Sequence, residues 1–176
     1  MSEFSKGFQN RRPDKSFYEP AYAGPFWVYG SLLISWCLDL LPTSSLPCFP
    51  SFLVLTLIFW SIHQPQRIYY WLAFALGLLT DADTGAVFGQ HALTYCFVVF
   101  FTELMSVRLG WLSSIAQAIS LIPIFFIPPI LLTIEGFCFG TDPASWSVFA
   151  QGLLCVVFWP IWCWILARRF YPNSGT

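Results

Sequence analysis

The segment GLLTDADTGAVFGQHAL, residues 77–93, gathers the side chains from which chemistry is most often built: Asp81, Asp83 and His91. Carboxylates and imidazoles can move protons, activate nucleophiles or help hold a metal ion, but no second acid, nucleophile or metal ligand is expected beside Asp81. The other parts of such sites are missing. No Gly-x-Ser-x-Gly nucleophile turn occurs. Asp39 and Asp81, the two acids expected at a comparable depth in their segments, carry no Gly-Asp signature of a paired-carboxylate protease. The expectation is therefore a structural role. Aspartate ahead of a helix accepts hydrogen bonds from the unpaired first-turn amides, and its charge favours the positive end of the dipole. Asp83 is predicted to do only this. Asp81, closer to the apolar interior, is predicted to be a buried structural cap. Gly77, Asp81, Gly85 and Gly89 also recur every four residues, which stacks positions on one helix face. Placed at a helix start, Gly85-x-x-x-Gly89 predicts a groove where another helix, from this chain or a partner, packs closely.

These groups stand out because charge is scarce. Of 176 residues, 57% are apolar, 20% aromatic and only 10% charged, and mean hydropathy is +0.65. Soluble domains carry about 25% charged residues, so the solvent for this chain is expected to be lipid. A net charge of −1 argues against nucleic acid as a partner. Apolar segments at 25–41, 46–62, 68–80, 84–106, 110–134 and 146–167 alternate with breaker clusters such as HQPQR and TDADTG. They predict an all-α bundle of about six transmembrane helices over residues 25–170. A polar cytoplasmic tail, 1–24, precedes it without a cleaved-signal pattern, and a short cytoplasmic tail, 171–176, follows. No internal repeat is evident.

The eight Lys and Arg residues test that count: Lys6, Arg11, Arg12, Lys15, Arg67, Arg108, Arg168 and Arg169. Six spans put all eight on one side, the asymmetry that places both termini in the cytoplasm. His63 and His91 then fall on opposite faces and share no metal or proton site. Segment 68–80 is thirteen residues long and rises only about 20 Å, against a hydrocarbon core of roughly 30 Å. Either the membrane thins here, or the helix stops below the outer interface and TDADTG is buried in protein or lines a cavity; a rival reading makes segments two and three a re-entrant hairpin. Pro65 shapes the preceding turn. Arg67, at a helix start where the dipole disfavours it, points to lipid phosphate or an acidic partner. Pro160, after Trp159, lies inside helix six, and Pro123, Pro128 and Pro129 make helix five irregular. Trp27, Trp111 and Trp146 stand at segment edges as interface anchors. The six cysteines form no C-x-x-C pair and read as small apolar residues. Only Cys48 and Cys138 fall in loops on one side, where a bridge is conceivable.

Three stretches together carry a family resemblance. They are PSFLVLTLIFWSIHQPQRI at 50–68, with Pro50, Trp60, Pro65 and Arg67; the opening segment, with Gly77; and FWPIWCWILARRF at 158–170, with Trp159 and Pro160. The chain resembles the rod shape-determining protein MreD family over about residues 25–170. That resemblance implies a non-enzymatic inner-membrane scaffold of the bacterial elongation machinery, with no cofactor and no metal. The implied partners are a single-span MreC-like protein, an MreB-like actin, and the elongation glycosyltransferase and transpeptidase. The implied fold is similar to the substrate-binding S components of energy-coupling-factor vitamin transporters, which supplies the alternative reading. Such components dock through an Ala-x-x-x-Ala stripe on the first helix, where this chain has Ser31-x-x-x-Ser35.

Overall fold

The run FLVLTLIFWSIH holds no glycine or proline and is apolar on every face, a pattern that fits a helix surrounded by protein. In the computed structural model, which describes residues 24–41, 49–139 and 146–170, this run is helix α2 (Phe52–His63), and every residue from Leu53 to Ile62 is buried. Around it stand α1 (Pro25–Asp39), α3 (Tyr70–Thr84), α4 (Gln90–Leu109), α5 (Ser114–Ser120), α6 (Ile122–Phe125), α7 (Ile127–Phe139) and α8 (Trp146–Phe170). A 3-10 turn, Pro65–Arg67, joins α2 to α3. Among the described residues there is no strand. Helices α1, α4 and α8 pack on α2, and α3 packs on α4.

Small hydroxyls join the helices across the apolar core. Ser35 Oγ and Thr56 Oγ1 lie 2.6 Å apart, linking α1 to α2. The Trp162 indole N–H donates to Thr56 Oγ1 at 3.1 Å, and that of Trp60 donates to Ser31 Oγ at 2.8 Å. In an apolar medium such bonds have no water competing for either partner. Backbones also touch closely at two glycines. A Cβ on Gly77 would lie 2.2 Å from the Ala92 Cα, and one on Gly152 would lie 2.9 Å from the Phe125 carbonyl oxygen. Gly77 is where α3 and α4 cross.

Helices α4 and α8 are long and apolar enough to cross a membrane by length and composition, and the α5–α7 stretch, bent by 56° near Leu121, makes a third if taken as one span. Prolines explain the breaks, since Pro123, Pro128 and Pro129 lack the N–H that a continuous ladder needs. Helix α8 nevertheless runs unbroken through Pro160. Trp27, Trp111 and Trp146 are exposed near helix ends.

The boundaries differ from expectation most at TDADTG. The sequence predicts a turn over 80–85 and a helix from 84; the structure continues α3 to Thr84 and starts α4 at Gln90. Thr80 and Thr84 donate their hydroxyl hydrogens to carbonyls one turn back, at 3.0 and 2.8 Å, which suits them to a helix end. Gly85 then stops the helix in the left-handed region, φ 65°. The loop expected to hold Cys48 lies outside the described residues.

Because Gly77 admits no Cβ, Gly77→Ala is expected to cost at least about 1–3 kcal/mol, the usual range for overpacking. Gly30→Ala, where nothing lies within 4 Å of the new carbon, should leave stability unchanged or raised. Thermal unfolding of the two purified variants in detergent checks the contrast.

Candidate functional site

Two aspartates, Asp81 buried and Asp39 half-buried, organise one end of the bundle, and each sits in the last turn of one helix while serving the first turn of the next. Asp39 ends α1. Its Oδ1 accepts the Phe52 N–H at 2.9 Å, and its Oδ2 accepts the Leu53 N–H at 3.1 Å and the Ser51 hydroxyl at 2.9 Å. Ser51, the N-cap of α2, in turn accepts from the Val54 N–H. Asp81 lies in the final turn of α3 and is 1% exposed. Its Oδ2 accepts the Gly89 N–H at 2.8 Å, and its Oδ1 accepts the His91 N–H and the His91 Nδ1–H, both at 2.8 Å. Asp81 thus caps α4 from the preceding helix. Aspartate is the right type for this, since the orphan amides of a first turn want a charged acceptor.

Between these caps lies a partly open cavity of about 280 Å³. Asp39, Ser51, Thr80, His91, Tyr95 and Gln151 contribute polar walls, and Phe125, Pro128, Pro129 and Leu132 apolar ones. The wall therefore draws on the last turns of α1 and α3 and the first turns of α2, α4 and α8. Among the described residues, no three His, Cys, Asp or Glu side chains converge to hold a metal ion.

Several predicted positions move. Gly85 and Gly89 do not form a groove on one helix. They flank the α3–α4 turn with φ of 65° and 101°, and a Cβ on either would meet nothing within 4 Å. Their four-residue spacing coincides with the helical period, but both supply left-handed backbone that other residues adopt only under strain. Asp83 caps no helix start: it is exposed within the last turn of α3, at the end of the dipole that disfavours it. His63 is held within its own helix, with Nδ1 2.9 Å from the Phe59 carbonyl oxygen and its ring stacked on Phe59. It shares nothing with His91.

The family-motif positions are structural in their surroundings. Pro50 lines the cavity. Trp60 and Trp159 are fully buried, and Trp159 meets Phe125 edge to face at 5.9 Å. Pro65 opens the 3-10 turn, and among the described residues Arg67 makes no ion pair.

Three features have no forewarning in the sequence reading. Beside Pro65, Gln64 is buried with neither side-chain amide atom hydrogen-bonded. Glu135 of α7 keeps a buried Oε2 without a partner. The Tyr70 hydroxyl donates to Glu103 on an exposed face of α3 and α4. A lone Glu in an apolar run, as at 103 and 135, is the available signal.

A helical bundle with apolar helices of membrane-crossing length and a capped cavity of mixed polar and apolar walls defines a small integral membrane protein of the all-α class. The family model for rod shape-determining protein MreD matches residues 23–170, and the chain belongs to that family. The rod shape-determining protein MreD of Haemophilus influenzae is 30% identical over 124 residues, covering 68% of this chain and 74% of that protein. No solved structure matches the chain.

Asp81→Leu leaves three donors without an acceptor, each costing about 1–3 kcal/mol when buried. The variant should fail to accumulate in the membrane. Asp81→Asn keeps one acceptor oxygen and should lose less, about 1–2 kcal/mol on the scale of an N-cap. Membrane levels and unfolding temperatures of the two variants give the comparison. A Leu variant as stable as wild type contradicts the cap.

Proposed function

We propose that this protein is a non-enzymatic scaffold of the bacterial elongation complex, a six-span inner-membrane protein that seats a single-span MreC-like partner and helps maintain rod shape. The observation that carries this reading is the family match, which extends over the whole helical region, 23–170. The one-sided distribution of all eight Lys and Arg residues supports six spans with both termini cytoplasmic. That side is where an MreB-like actin acts. The cavity end faces outward in this topology, toward the wall-building glycosyltransferase and transpeptidase.

The partner seat is better supported on the α3–α4 seam than at Gly85 and Gly89. Cys96, Phe100 and Glu103 fall on one face of α4 by helical spacing, beside Tyr70 and Phe74 of α3. Phe74 and Phe100 are exposed, and the Tyr70–Glu103 hydrogen bond lies among them. A carboxylate on a lipid-facing surface is costly. A partner helix offering a donor at that level relieves the cost, and it packs against the two phenylalanines.

The alternative, a vitamin-binding S component, gains less support. Ser31 and Ser35, the nearest equivalent of the docking stripe, are engaged by Trp60 and Thr56 of α2. They face inward rather than toward an outside partner.

Copurification from native membranes tests the scaffold reading. Wild type should bring down the MreC-like protein, and Glu103→Leu with Phe100→Ala should lower its yield severalfold at unchanged membrane level. Unchanged yield removes the seam as the seat, and recovery of a bound vitamin without the partner favours the alternative. Reporter fusions at Gln66 and Thr176 should read cytoplasm and one at Asp142 the outside. An external Gln66 replaces six spans with the re-entrant hairpin.

A further inference from the structure

The cavity between the two aspartate caps has a one-sided chemistry. Four of its wall hydroxyls direct their hydrogens into the protein: Ser51 to Asp39 at 2.9 Å, Thr80 to the Leu76 carbonyl at 3.0 Å, Thr84 to the Thr80 carbonyl at 2.8 Å, and Thr94 to the Gln90 carbonyl at 2.9 Å. What these oxygens turn toward the remaining space is lone pairs. His91 lines the same wall and gives its Nδ1–H to Asp81. Gln151, on the same wall, has an amide oxygen to offer.

The charge is one-sided too. Asp39 lines the cavity and Asp81 stands behind His91. Glu135 follows the cavity-lining Pro128 and Leu132 at helical spacing, on the same face of α7. Its buried Oε2 has no hydrogen-bond partner. No Lys or Arg occurs anywhere between residues 16 and 66, 68 and 107, or 109 and 167. The described helix ends around the cavity therefore carry no Lys or Arg.

A largely apolar cavity whose wall holds hydroxyl oxygens and the Asp39 carboxylate disfavours phosphate and carboxylate groups and suits a cation that joins N–H donors to carbon. A bare metal ion fits less well. The oxygens of Asp39 and Asp81 are already engaged by N–H and O–H groups, and among the described residues no three ligating side chains converge. We infer that this cavity binds a primary ammonium group. Its N–H donors engage the hydroxyl oxygens and Gln151, its charge answers Asp39, Asp81 and Glu135, and the adjoining carbons rest on Phe125, Pro128 and Leu132. The ammonium arrives either on a small soluble amine or on the headgroup of an aminophospholipid. This goes beyond the scaffold reading and does not depend on it.

Native mass spectrometry of the full chain in detergent tests it, with orientation playing no part. The lipid probes are phosphatidylethanolamine, phosphatidylcholine and phosphatidylglycerol with identical acyl chains; the soluble probe is ethanolamine, read by its shift of the unfolding temperature. Choline keeps the positive charge but has no N–H donor. Retention of phosphatidylethanolamine at least fivefold over the other two identifies the lipid source. An ethanolamine shift of several degrees without lipid preference identifies the soluble source. Either effect should fall to background in Glu135→Gln, which removes charge at constant volume, and in Leu132→Trp, which fills the cavity. Should Leu132→Trp fail to fold, Gln151→Leu takes its place. The inference is overturned if neither probe shows preference, or if a preference survives both substitutions.

Discussion

Inside a lipid bilayer the first amides of a helix have no water to turn to, so each must find an acceptor within the protein. That constraint governs this molecule. α2 is a twelve-residue helix, shorter than the roughly 20 residues that cross a hydrocarbon core. It begins where Asp39 can receive it, and α4 begins where Asp81 can receive it. In both hairpins the acceptor comes from the last turn of the preceding helix, so one carboxylate closes the hairpin and satisfies the amides together. An acid at a helix C-terminus is unfavourable to its own dipole. Here that cost is offset because the opposite end of a neighbouring dipole lies against it.

The arrangement has a consequence for shape. Two helix starts drawn inward, each below its own cap, leave room above them, and that room is the cavity of about 280 Å³. Its walls are rich in acceptors because the residues that end α3 and start α4 are threonines whose hydrogens return to helix carbonyls. Close crossing at Gly77 keeps α3 against α4 and thereby holds Asp81 within reach of Gly89 and His91. Packing, capping and cavity are thus linked through one short stretch of chain.

Much of the helical layout was legible from the apolar segments and their breakers, because lipid-exposed and protein-buried helices share the same apolar composition. The extent of α3 was not. Asp, Thr and Gly in TDADTG carry strong turn preferences, which hydroxyl back-bonding and a left-handed Gly85 override. Asp81 was read as a cap ahead of the fourth helix; that it serves that helix from inside the last turn of α3 was not legible, since its acceptor atoms meet amides eight and ten residues onward. The glycine spacing misled for a geometric reason. A period of four is equally compatible with one helix face and with the two ends of a short turn. Asp39 was noticed only as an acid at the right depth, because its partners lie across a loop whose path no local pattern specifies.

The central claim is that each aspartate holds its own helix start, independently of the other. Residue-resolved amide hydrogen exchange on the purified chain measures it directly. In wild type, the amides of Phe52, Leu53, Gly89 and His91 should all exchange slowly. Asp39→Ala should speed exchange at Phe52 and Leu53 and leave Gly89 and His91 protected, and Asp81→Ala should do the reverse. If all four amides already exchange fast in wild type, or if either substitution leaves its own pair protected, the aspartates do not hold these helix starts.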